Sequence, residues 1–183
     1  MIHSVLGLRA TGEYQEIPES NIVAAKLPTG WYVVIFNRHE LKHEPLQRLS
    51  SLGEVVHCFV EDHVMFSVAS GWKGGKLDWS VTHDSEKGRF HLEVEGPVPS
   101  SLAQIRERLT AAQNAEGGEK SEVDYIYDVP AELALSLTGF RHDQDVAGAT
   151  GPIFQVLERT SARSQSGLAR AFRGLFGKKD DAK

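Results

Sequence analysis

The stretch SGWKGGKLDWSVTHD, Ser70 to Asp84, admits two readings with different consequences for the fold. A phosphate-holding P-loop needs G-x-x-x-x-G-K-[ST] between a strand and a helix. The Gly75-Lys76 pair would then require glycine at position 70 and a hydroxyl at position 77, where Ser70 and Leu77 stand. The residues after the two glycines do not read as a helix either. Leu77, Trp79 and Val81 alternate with Asp78, Ser80 and Thr82, the period of a strand with one solvated face. The stretch is therefore a β-hairpin, with Gly74 and Gly75 supplying the positive φ that a tight turn needs.

Strands continue on either side. EVVHCFVE and HVMFSVAS precede the hairpin, and RFHLEVEG comes after it, with Phe90, Leu92 and Val94 alternating against His91, Glu93 and Glu95. DSEKG between Asp84 and Gly88 reads as a hairpin loop. Further upstream, NIVAAKL and WYVVIFN flank Pro28 and Gly30, which predicts another hairpin. The apolar run Trp31–Phe36 suggests a central strand covered on both faces. A short helix is expected after it, with Pro45 in its first turn, Leu46, Leu49 and Leu52 on one side, and Gly53 at its end.

The character changes after residue 100. SLAQIRERLTAAQ places Leu102, Ile105, Leu109 and Ala112 on one helical face, and Ser101 and Gln104 have capping-box spacing. DYIYDVPAELALSLTG reads as a short extended piece and a second helix, with Pro130 in its first turn and Gly139 at its end. PIFQVLE reads as a last strand. A meander of strands followed by segregated helices predicts an α+β fold: an antiparallel meander sheet of about five to seven strands with helices packed on it. The expected organisation is one α+β domain over 1–159 and a separate C-terminal tail over 160–183.

The tail inverts the charge of the chain. Residues 160–183 hold six Lys and Arg against two Asp, a net +4, whereas the remainder holds 14 basic against 23 acidic side chains, a net −9. Leu168, Phe172, Leu175 and Phe176 recur at helical spacing, with Arg163, Arg170 and Arg173 opposite, the pattern of a basic amphipathic helix. Such a helix can lie on an anionic membrane, dock in a partner's groove or pack on its own acidic domain. Its candidate contact residues are Leu168, Arg170, Phe172, Arg173, Leu175 and Phe176.

Totals exclude several classes. The 183 residues carry a net charge of −5, which argues against nucleic-acid binding, since that needs a basic face. A single cysteine, Cys58, permits no intramolecular disulfide and suggests a reducing, cytoplasmic setting. The N-terminus lacks a signal-peptide pattern. The longest apolar run, WYVVIF, is six residues, where a membrane span needs about 20.

Motifs for catalysis fail on context. HELKH matches the zinc-peptidase pattern in letters, with His39 and His43 as ligands and Glu40 as base. It comes directly after a strand, however, and Pro45 disfavours helix at Glu44. His57, Cys58 and His63 form a Cys/His cluster, but neighbours on a strand point to opposite faces. Cys58, among Val56, Phe59 and Val60, is expected to be buried and unreactive. His91, Glu93 and Glu95, with Asp78 nearby, share a strand face that could hold a divalent cation but reads more simply as the solvated side of a sheet. His83-Asp84 and His142-Asp143 are sequence neighbours, which does not make a dyad. No cofactor, metal or catalytic residue is expected, and a metal-dependent hydrolase stands only as a third reading.

The positive signal is an acidic segment bearing tyrosines, EGGEKSEVDYIYD. Glu122, Asp124, Tyr125, Tyr127 and Asp128 are the residues expected to meet a basic protein partner. The leading expectation is a non-catalytic binding module, in its most concrete form an immunity-type inhibitor capping a basic toxin. The alternative is a peripheral membrane or assembly-tethered protein acting through the C-terminal helix.

Overall fold

The computed structural model describes residues 1–38 and 42–160. The protein is α+β, with two four-stranded antiparallel sheets and helices packed on them. The strands of the predicted meander are thus divided between two sheets.

The second sheet contains the Ser70–Asp84 hairpin. Its strands run in sequence order: β4 (Val55–Glu61), β5 (Phe66–Lys73), β6 (Lys76–Asp84) and β7 (Glu93–Glu95). Gly74 and Gly75 take φ of 58° and 79°, as the turn requires. A bulge sets Gly71 opposite Trp79 but Trp72 opposite Leu77, so Asp78 is the extra residue. The bulge breaks the expected alternation. Trp79, Val81 and His83 face the core, whereas Leu77 turns to the Trp72 side and stays 44% exposed. The predicted strand over RFHLEVEG is shorter than expected. A 3₁₀ turn, Ser85–Lys87, replaces the simple hairpin loop, and Phe90 and Leu92 leave the ladder to pack against the core.

One face of this sheet is covered by α3 (Ser101–Ala115) and α4 (Asp128–Thr138), which bury Leu102, Ile105, Leu109, Val129 and Leu133 against Ala69, Trp79 and Val81. Gly139 ends α4 at φ 77° as predicted. The capping box is not used: the Ser101 hydroxyl meets Ser136 at 3.0 Å, and Ser100 is the cap residue. The piece before α4 is a series of turns rather than extended chain. α2 (His43–Ser50) lies against β4, β5 and β6.

The other sheet has the order β1-β8-β2-β3, built from β1 (Leu8–Gln15), β2 (Ile22–Lys26), β3 (Tyr32–Phe36) and β8 (Phe154–Arg159). The β2–β3 hairpin forms as predicted. β3, however, is an edge strand and half-buried throughout; in β2, by contrast, Ile22, Val23, Ala24 and Ala25 are buried. β8 inserts between β1 and β2, so the last described strand completes a sheet begun by the first. The short helix α1 (Ile2–Leu6) precedes β1, and its Leu6 packs on the Leu8, Ile22, Ala24, Leu157 cluster. Phe140, Val146 and Ile153 cover the opposite face. The Thr29 hydroxyl donates to Thr138 O at 2.6 Å, tying this sheet to the end of α4.

Candidate functional site

Among the described residues β3 pairs only with β2, and β4 only with β5. Each sheet therefore presents one free edge to a common groove of about 1100 Å³, lined by every residue of β3 and of β4. Met1, Ile2 and Leu6 from α1, and Ala131, Ala134 and Phe140 from α4 and the chain after it, complete an apolar wall. This volume exceeds the ~300–1000 Å³ typical of small-ligand pockets and suits a peptide segment.

Arg141 lines the same groove and is held by three carboxylates. Its Nη2 meets Asp128 Oδ1 at 2.8 Å, Nη1 meets Glu132 Oε1 at 3.1 Å and Nε meets Asp143 Oδ1 at 2.7 Å, with the side chain only 10% exposed. Glu132 also reaches Arg108 at 3.1 Å. Burial raises the pKa of Asp128, against the pull of Arg141 and with help from Asp143 and Glu132. Burial also opposes ionisation of Asp143, but the Arg141 hydrogen bond and charge, with a backbone hydrogen bond and His142, together outweigh it and hold that carboxyl low. Next to this cluster the Tyr127 hydroxyl donates to Asp62. Its pKa is raised first by burial, then by the Asp62 hydrogen bond and the charges of Asp62, Asp128 and Glu61. Arg38, Glu54, Glu61 and Arg141 are the Asp, Glu, Lys and Arg side chains that line the groove. Asp62, Asp128, Glu132 and Asp143 stand beside Glu61 and Arg141, so the rim around those two residues carries more carboxylates than the Arg108 and Arg141 guanidiniums balance.

The sequence-predicted acidic segment is only partly brought together. Tyr127 and Asp128 belong to this rim. Glu122 is exposed, and Tyr125 packs against the core while its amide donates to Gln113 Oε1 at 2.8 Å. Asp124 is withdrawn from the surface, with its side chain 0% exposed. It contacts His83 Nε2 at 3.2 Å and Arg89 Nη1 at 3.2 Å, and accepts from the Tyr127 amide at 3.2 Å. His83 Nδ1 donates to His91 O at 2.8 Å, so both ring nitrogens face oxygen acceptors. Burial alone would push the Asp124 carboxyl up. The His83 hydrogen bond and charge, the Tyr127 amide and Arg89 together hold it low. This buried network joins β6, the turn after it and the segment before α4, and it has no free face for chemistry.

A smaller hollow of about 180 Å³ lies between α2 and the sheet, lined by His43, His57, Ser70 and Trp72 among others. The Trp72 indole donates to Ser70 Oγ at 3.0 Å, and His57 Nδ1 stands 3.5 Å from the same oxygen. Burial, then the neighbouring His43, lowers the His57 pKa to about 4. His43 is the first residue of α2; His39 and Glu40 lie outside the described residues. Cys58 points away from His57 and is exposed on the free edge, contrary to the burial expected from its apolar neighbours. Surrounding protein nevertheless pushes its thiol up to about 11, chiefly by desolvation. His63 is exposed, 3.4 Å from Glu61.

Known protein families, curated proteins and solved structures offer no match to this chain. His91 does not join Glu93 and Glu95, because its Nδ1 accepts from the Asp84 amide at 3.0 Å while Glu93 faces Lys87 at 3.7 Å. Among the described residues no group of three or more His, Cys, Asp or Glu is placed to hold a metal ion. No helix among them is long and apolar enough to cross a membrane. Leu168, Arg170, Phe172, Arg173, Leu175 and Phe176 lie outside the described residues. The rim residues that sequence reasoning missed are Glu61, Asp62, Glu132, Arg141 and Asp143. They come from β4 and the turn after it, and from α4 and the chain after it, and no local pattern links them.

Proposed function

We propose that the protein is a non-catalytic protein-binding module whose groove takes a basic amphipathic helix of a partner, in the manner of an immunity-type inhibitor capping a basic toxin. The observation that carries this reading is the pairing of an apolar groove of about 1100 Å³ with an acidic rim on one molecule. A helix laid in a groove inserts its apolar stripe and turns its charged face to the rim. Lysines or arginines on that face meet Glu61, Asp62 and Asp128, which steers association and sets register. Tyr127, half-buried among those carboxylates, supplies an aromatic anchor of the type enriched at interface centres.

The test is quantitative capture by the full-length chain and by a Glu61→Lys/Asp62→Lys variant, both residues being exposed. One stoichiometric basic protein should be retained by the natural chain and lost by the variant, with a cooperative thermal melt for each bait showing that both are folded. Equal retention by both would sink the assignment of the rim. Peripheral membrane attachment is a second reading, favoured by the amphipathic pattern of residues 163–179. Anionic vesicles that sediment the full chain but not one ending at Arg159 would support it.

A further inference from the structure

We propose that the chain's own segment 163–179 is the resident occupant of the groove between β3 and β4, so that a partner helix binds by displacing it. The inference rests on the reading of the groove as a helix receptor and names the regulation of that site.

The first observation is where the described chain leaves the fold. Thr160 is anchored by two hydrogen bonds to one carbonyl, its amide and its hydroxyl both donating to Gly7 O at 2.8 and 3.0 Å. Gly7 closes α1, and Met1, Ile2 and Leu6 of α1 line the groove. The segment therefore departs beside α1, which supplies part of the groove's wall.

The second is reach. Residues 161–162, which alone separate Thr160 from a helix over 163–179, span at most about 7 Å when extended. The helix would therefore start next to α1, and β4, the edge it would follow, is seven residues or about 23 Å long. A helix over 163–179 would be about 25 Å long, the same length as the strand edge it would follow.

The third is chemistry. Leu168, Phe172, Leu175 and Phe176 form an apolar stripe matched to the apolar wall, and Arg163, Arg170 and Arg173 are opposite. Residues 160–183 carry +4 against −9 for the remainder, and Glu61 lines the groove with Asp62 and Asp128 close by. Gly167, Gly174 and Gly177 make it a poor helix in free solution, so a receiving surface is needed. Its apolar period is helical rather than alternating, so it presents side chains to the groove instead of adding a strand to the free edges. A short tether keeps it at an effective concentration of about millimolar. Any partner then binds only the fraction of molecules whose groove is open.

The sole cysteine is the reporter, because Cys58 is exposed on β4 and lines the groove. Its rate of reaction with a disulfide reagent is measured at about pH 9, where a high-pKa thiol still reacts. The full-length chain is compared with a Leu168→Asp/Phe172→Asp variant, whose substitutions lie outside the described fold. The variant should react at least about tenfold faster, as expected when a docked segment no longer closes over a site. A peptide of residues 161–183 added to the variant should slow it again, and the rate of the full chain should not depend on protein concentration. Equal rates in the two chains would overturn the proposal, and sedimentation of the full chain with phosphatidylserine vesicles would then assign the segment to a lipid surface. Protection that grows with protein concentration would also overturn it, by assigning the occupant to a second copy. No partner is needed, so this test and the rim test above fail independently.

Discussion

Asp124 shows how far one side chain can depart from its sequence context. It sits in an acidic run, and local composition marks it as surface. Its partners, His83 and Arg89, are 41 and 35 residues earlier, and only the packing of α3 and α4 on β6 brings them together. Removing one member of a buried ion pair strands the other, which costs about 3–5 kcal/mol. Asp124→Ala should therefore lower the urea-unfolding free energy by about that amount, and Asp124→Asn, which keeps an acceptor for the Tyr127 amide, by less. The sign of the pH effect comes from a carboxyl held below its ordinary value. Its contribution is complete above about pH 4 and is lost as pH falls through the lower folded value. The natural chain should thus lose stability more steeply in acid than Asp124→Asn, as read from melts between pH 5 and pH 2. Gly71 offers a second test. A methyl added there would overlap the Trp79 indole across the ladder. Gly71→Ala should cost about 1–3 kcal/mol through overpacking, measured by the same unfolding assay.

The elements differ in how much tertiary help they need. The hairpins and both long helices arise from periodicity and from turn residues that act locally, as at Gly74, Gly75 and Gly139. β7 does not: Phe90 and Leu92 alternate as a strand would, but the core beside Trp79 draws them out of the ladder. β3 reads as a central strand because apolar residues occupy both its faces. Each sheet face has its own hydrophobic cluster, so an edge strand here acquires the pattern of an interior one. β8 is the opposite case. It reads as an appended strand, yet it lies between β1 and β2 and buries Phe154, Val156 and Leu157. A chain ending at Gly151 should fail to fold, whereas one ending at Thr160 should melt within a few degrees of the full-length protein. Circular dichroism of the two truncations checks this.

Across the two sheets, charge and apolar surface are separated in a way that no single element carries. The groove is apolar along its walls and acidic where Glu61, Asp62 and Asp128 surround Tyr127. If these carboxylates steer a basic helix, association should slow with added salt, because exposed charges are screened beyond about 8–10 Å at physiological ionic strength. Glu61→Lys should lower the association rate and flatten its salt dependence, while leaving the unfolding free energy within about 0.5 kcal/mol, as for other exposed substitutions. Stopped-flow mixing with the captured partner, or with the 161–183 peptide on the Leu168→Asp/Phe172→Asp chain, measures both.

The α+β class, the Ser70–Asp84 hairpin and the helical face of Leu102, Ile105 and Leu109 were legible in the sequence, because a period and a turn are properties of neighbouring residues. So was the charge inversion of the tail, which is a matter of counting. The division into two sheets, the placement of β8, the burial of Asp124 and the assembly of the rim around Arg141 were not. Each depends on contacts between residues far apart in the chain, and pairing of that kind leaves no local trace. The groove belongs to the same class, since it exists only where the free edges of two separately built sheets come to face each other.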